Sequence, residues 1–118
     1  MLNIKGFGVC EYESLDELLF EIACCKSLLL KGWCQGTERD SCGRVCALGA
    51  VRDIMTEMLN RGLVVRLLYQ VLCSRDAYFG NLGAATAVAT FNDAPGRTVE
   101  EVVKLFDDAV LLVKGLVQ

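Results

Sequence analysis

Along most of this chain apolar residues return every three or four positions, in blocks separated by short polar or glycine-rich stretches. Leu15, Leu18, Leu19, Ile22, Cys25 and Leu29 make the first stripe, the mark of a helix with one buried face. The preceding Ser-Leu-Asp-Glu of residues 14–17 has capping-box form. The Ser14 hydroxyl accepts from the Glu17 amide while the Glu17 carboxylate reaches back. Lys31 and Gly32 then supply a cation for the last turn and a glycine stop. A second helix places Ala47, Leu48, Val51, Ile54, Met55 and Met58 inward and Arg52, Asp53, Thr56 and Glu57 outward, and the Asn-Arg-Gly of residues 60–62 closes it.

Residues 63–73 read as a third helix, weakened by its valines. It breaks across residues 74–83, where turn formers mix with aromatics. The small-residue run AATAVATF predicts a short helix able to approach a neighbour closely, and a second capping box, Thr-Val-Glu-Glu at 98–101, opens the last one. Val99, Val102, Val103, Phe106, Ala109, Val110 and Val113 line its inner face. Residues 1–13 form an extended arm, and 32–44 a polar, glycine-rich loop. The expected fold is therefore all-α: a single compact bundle of about five helices, residues 14–118, with a short extended N-terminal arm.

With 118 residues, 53% of them hydrophobic and 23% charged, the chain has the length and composition of one packed domain. The mean hydropathy of +0.39 raises the question of a membrane span, but no apolar run reaches the roughly 20 residues required. The first residues lack the apolar core of a signal peptide. A soluble, cytoplasmic protein is expected. A net charge of −3 with interspersed signs offers no basic stripe for phosphates, so direct nucleic-acid binding is not expected.

Candidate chemistry is sparse. There is no histidine, which removes the usual neutral-pH general base and the histidine-dependent nucleophilic sites. An enzyme would have to rely on carboxylates, thiols or lysines, and Asp40, Asp53 or Asp93 paired with another carboxylate in a deep pocket would point to one; an enzyme is not the favoured reading. The seven cysteines are read as reduced thiols, several in apolar stretches. Cys34, Cys42 and Cys46 have C-x7-C-x3-C spacing. That is a weak zinc motif, because structural zinc sites draw on four ligands, usually in close pairs. No cofactor is implied.

The turn at 92–98 is the sharpest feature. Pro95-Gly96 suits the middle of a type II turn, and Thr98 begins a helix whose free amides, with Arg97 beside them, suit an anion. A structural corner, with Asp93 paired to Arg97, is the favoured reading over a ligand site. Trp33 and Gln35 lie at another helix junction, and a composite pocket of Trp33, Gln35, Asn92, Asp93, Arg97 and Thr98 follows if both junctions share one end of the bundle. Gly49 is costly inside a helix, by about 1 kcal/mol relative to alanine, and implies close helix–helix approach. Tyr69, Tyr78 and Phe79 would form an interaction patch if exposed.

Three stretches, GWCQG at 32–36, GRVCALGAV at 43–51 and FNDAPGRTVEEVV at 91–103, together resemble an uncharacterised bacterial and phage family of small helical domains. The resemblance runs over residues 14–112. Phe91 stands where the family usually carries tryptophan, and Cys34 and Cys42 are additions to its pattern. The resemblance implies no activity. The expected function is a non-enzymatic protein-interaction module with a protein partner or as a homo-oligomer, in its most specific form a phage- or mobile-element-borne inhibitor of a host defence complex. The alternatives are a small-ligand or nucleotide-binding protein using the 92–98 turn, and a small zinc-binding domain.

Overall fold

A computed structural model describes residues 1–117. It bears out the helical bundle. Five helices, α1 (Leu15–Lys31), α2 (Ala47–Ile54), α3 (Met58–Arg75), α4 (Ala84–Asp93) and α5 (Val99–Lys114), follow a two-stranded hairpin, β1 (Leu2–Ile4) and β2 (Gly8–Cys10). A single 3-10 turn, Ala77–Asn81, separates α3 from α4. α5 packs between α1 and α3, α4 covers α2 and α3, and α2 lies against α1. Among the described residues no helix is long and apolar enough to cross a membrane.

The N-terminal arm is an antiparallel hairpin with Leu2 opposite Cys10 and Ile4 opposite Gly8. Gly6 and Gly8 adopt positive φ, which its tight turn requires. The far end of the chain joins it: the Lys5 amide donates to the Leu116 carbonyl at 2.9 Å, and Val117 bridges Ile4. Leu2, Ile4, Cys10 and Tyr12 are buried in the common core. The Tyr12 hydroxyl donates to the Glu21 carboxylate on α1, and burial, with that carboxylate beside it, pushes the phenol's pKa up.

Both caps form. Ser14 Oγ accepts from the Glu17 amide at 3.3 Å, although Glu17 reaches back to the Glu13 amide rather than to that of Ser14. Thr98 and Glu101 make the full reciprocal box.

The boundary between α2 and α3 differs from the expectation. Residues 60–62 do not close α2; they lie in the first turns of α3. α2 stops at Ile54 because Met55 turns extended, and its end is capped from outside. The Arg61 guanidinium donates to the Met55 carbonyl and, at 3.0 Å, to the Arg52 carbonyl, which satisfies acceptors left open at a helix end. Asn60 is buried, and its Oδ1 accepts from the Glu11 amide at 2.9 Å. Met58, expected inside, is 80% exposed.

Gly49 is tight for a different reason from the one expected. A β-carbon there would lie 2.1 Å from the Glu38 carbonyl oxygen and 2.9 Å from its carbon. The close neighbour is thus loop backbone, not another helix. That carbonyl also accepts from the Cys46 amide at 3.1 Å, so it cannot swing away without unpinning the start of α2. Gly62, inside α3, has open space around its α-carbon. Two alanine substitutions should therefore have opposite signs. Gly49→Ala is expected to destabilise by about 1–3 kcal/mol or more through overpacking. Gly62→Ala is expected to stabilise by about 0.5–1 kcal/mol through helix propensity. Urea unfolding followed by circular dichroism measures both.

Candidate functional site

The structure brings the two motif-bearing junctions to one end of the bundle. Asn92, in the last turn of α4, is fully buried. Its Oδ1 accepts from Trp33 Nε1 at 2.8 Å and from the Ala47 amide at 3.0 Å. Its Nδ2 donates to the Cys34 carbonyl at 3.1 Å and to Asp93 Oδ1 at 2.9 Å. One side chain thus joins the loop after α1, the first residue of α2 and the end of α4. Two donors and two acceptor lone pairs are the whole capacity of a primary amide.

The flanking residues complete the seam. Gln35 Nε2 donates to the carbonyls of Asn92 and Ala94 at 2.9 and 3.0 Å, closing the end of α4. Asp93 does not pair with Arg97 as anticipated; its Oδ1 accepts from the Gly36 amide at 2.9 Å. Arg97 Nε donates to the Phe91 carbonyl at 2.8 Å, its guanidinium lies 3.8 Å from the centre of the Phe91 ring, and Nη1 pairs with Glu101 at 3.2 Å. Pro95-Gly96 forms the anticipated turn: Gly96 has φ of +79° and the Arg97 amide donates to the Ala94 carbonyl at 3.1 Å.

At the start of α5 the Thr98 and Glu101 amides are paired within the capping box. Glu101 Oε1 accepts from the Thr98 amide at 2.9 Å and from the Thr98 hydroxyl at 3.2 Å. These bonds, the amide first, hold the Glu101 carboxyl below its ordinary pKa. A carboxylate therefore stands beside the first turn of α5, where its charge opposes an incoming anion. The cavity that Arg97 borders, about 370 Å³ in volume, is walled by Arg75, Phe91, Glu100, Glu101 and Lys104; Trp33 does not line it, its indole donating to Asn92 instead.

The other candidate residues are dispersed. Asp40 organises its own loop, accepting from the Cys42 and Arg44 amides at 2.9 Å each and from Arg44 Nε at 2.6 Å. Asp53 pairs with Arg39. Each of these carboxylates meets a cation or an amide. Cys34 Sγ donates to the Arg44 carbonyl at 3.3 Å, Cys46 Sγ accepts from the Gly49 amide at 3.5 Å as the cap of α2, and Cys42 is exposed. Burial raises the thiol pKa of both Cys34 and Cys46, and pushes that of Cys25 up to about 12. Among the described residues, no group of three or more cysteines and carboxylates is arranged to hold a metal ion. Tyr78 is exposed, while Phe79 is half-buried and meets Phe91 edge-on at 6.5 Å. Tyr69 is half-buried, and its hydroxyl donates to the Gly80 carbonyl.

Two further features carry no sequence motif. A cavity of about 510 Å³ opens between the hairpin turn, α3 and the chain's last residues, bordered by Phe7, Arg66, Tyr69, Gln70, Leu112 and Leu116. An apolar groove of about 310 Å³ runs along the outer face of α1, bordered by Phe20, Ala23, Cys24, Ser27, Leu28 and Ile54. Phe20 is 69% exposed there. The signal for it was present in the sequence as an aromatic facing away from the stripe through Leu18, Ile22, Cys25 and Leu29.

Two outcomes follow from this geometry. Asn92→Ala leaves the Trp33 indole N–H, the Ala47 amide and the Cys34 carbonyl without partners. At about 1–3 kcal/mol for each buried unsatisfied group, it should cost on the order of 3 kcal/mol or more. Trp33 is the only tryptophan, so its fluorescence in a urea titration reports the change directly. In the native protein under reducing conditions, iodoacetamide should modify Cys42 first, and Cys10, Cys25, Cys34 and Cys46 only after unfolding. Protection of Cys42 that a chelator relieves would instead reveal a bound metal.

A comparison with curated proteins finds no match, and neither does one with solved structures. A family model does match, over residues 23–111, about three-quarters of the chain. That span holds the loop at 32–36, the start of α2 and the corner at 91–98, the three segments that Asn92 ties together. The chain belongs to the family of unknown function DUF6197.

Proposed function

We propose that this protein is a non-enzymatic protein-interaction module that docks through the outer face of α1. The observation that carries this reading is Phe20. A phenylalanine 69% exposed at the mouth of an apolar groove is the kind of anchor that concentrates binding energy in protein interfaces. Leu30, on the same helix, is also 60% exposed. The polar motif residues favour the same conclusion from the other side. Asn92, Gln35, Asp93 and Glu101 already have partners within the fold, so they offer little to a small ligand. The most specific form of the reading, a phage- or mobile-element-borne inhibitor of a host complex, rests on the resemblance of the three motifs alone.

The test uses wild-type protein and two variants as baits in extracts of the source organism, followed by cross-linking and peptide mapping. Phe20→Asp should lose the captured protein at least tenfold while leaving the thermal midpoint nearly unchanged, because the ring is largely outside the core. Gln35→Ala should retain it. Cross-links that map to the 92–98 corner, or capture indifferent to Phe20→Asp, would reject the α1 face.

A further inference from the structure

We propose that the occupant of the α1 face is a second copy of this chain, bound antiparallel about a two-fold axis between Ala23 and Cys24. The proposal rests on the docking reading above and names the partner. It starts from helix geometry. At about 100° per residue, Asp16, Phe20, Ala23, Cys24, Ser27 and Lys31 all fall within roughly 50° of the line opposite the buried face of α1. All are exposed except Cys24, which is half-buried. Read along the helix, this face runs acid, large apolar, small, thiol, small, base.

That order complements its own reverse. In a two-fold interface, a contact between residue i of one copy and j of the other occurs twice. Asp16 and Lys31 are equidistant from the point between residues 23 and 24. So are Phe20 and Ser27. A single antiparallel register therefore sets each Asp16 against Lys31 of the second copy, and each Phe20 ring over the small Ser27. Among the described residues, neither Asp16 nor Lys31 has an ion-pair partner within its own chain. A parallel pairing would put Phe20 on Phe20 and like charges together at both ends.

The groove agrees with that register. Phe20 borders one end of it and Ser27, Leu28 and Lys31 the other, with Ile54 of α2 alongside. Its volume of about 310 Å³ accommodates a phenyl ring arriving at the Ser27 end, and each copy would supply one ring and receive one. Ala23 and Ser27 permit the helices to approach to about 8 Å, the short end of the usual spacing. The 17 residues of α1 span about 25 Å at 1.5 Å per residue. One helix face of that length falls short of the about 800 Å² per partner of a standard stable interface. Association is therefore expected to be reversible, in the micromolar range.

Sedimentation velocity under reducing conditions, from about 1 µM to about 300 µM chain, tests the proposal. The expected result is a weight-average mass rising from the 12.9 kDa of one chain toward twice that value. Phe20→Asp should abolish the rise. Asp16→Lys should weaken association severalfold, and Asp16→Lys with Lys31→Asp should recover it, an outcome that non-specific stickiness would not give. In a Cys42→Ser background, a short bismaleimide should join two copies through Cys24, with circular dichroism checking that every variant folds. A single-chain mass throughout, or a rise indifferent to Phe20→Asp, overturns the second-copy proposal. If the mass stays that of one chain while Phe20 still governs capture of another protein, the docking reading survives; loss of both rejects both.

Discussion

The fold turns on the amide of Asn92. The 15 residues between α1 and α2 contain no helix, and isolated bridges at Trp33, Arg39 and Val45 are their main backbone regularity. Such a segment needs fixed points. Asn92 supplies three at once: an acceptor for the Trp33 indole and the first amide of α2, and a donor to the Cys34 carbonyl. Because the Asn92 side chain is fully buried, each bond is stronger than in water and each unmade bond more costly. A residue of the same size with only acceptors would meet the Cys34 carbonyl and the Asp93 carboxylate with the wrong polarity. Only an amide has the two faces this position requires.

What the sequence showed well was local. Capping at Ser14 and Thr98, and the turn at Pro95-Gly96, depend on residues within four positions of one another, so composition and spacing suffice to read them. What remained hidden was non-local. Nothing near Asp93 in the chain says that its partner is the amide of Gly36 rather than the guanidinium of Arg97. The start of α3 is hidden from local pattern for a related reason. Asn60, Arg61 and Gly62 have stop-signal chemistry, but tertiary bonds from Asn60 to Glu11 and from Arg61 to the end of α2 outweigh a propensity deficit of about 1 kcal/mol. Gly49 was recognised as crowded, yet which element crowds it depends on where the loop carrying Glu38 is laid.

This division explains why the most distinctive motifs say least about partners. The tryptophan, glutamine, asparagine and arginine of the two junctions look like binding chemistry because binding sites and buried seams need the same thing, directional polar groups held in fixed positions. The difference lies in whether the groups are satisfied before a ligand arrives. Here the indole, the amides and the carboxylates close on one another, and the ring of Phe91 is covered on one side by Arg97 at 3.8 Å and approached by Arg75 at 5.8 Å. A seam of this kind maintains the mutual positions of α2, α4 and α5.

The outer face of α1 has the opposite character. α1 is anchored through its other faces: Leu18, Ile22, Cys25 and Leu29 are in the core, Lys26 pairs with Asp107 of α5 at 2.6 Å, and Glu21 holds Tyr12. Nothing about keeping the helix in place requires an aromatic at position 20, where a polar residue would leave the core unchanged. An exposed phenyl ring beside Leu28 and Ile54 costs solvation that a glutamate or lysine would not, on the order of 25 cal/mol for each Å² of apolar surface left in water. Removing that surface from water is what a partner does. In the docking proposed for this face, a bundle already fixed by the seam at one end would meet its partner with little ordering cost.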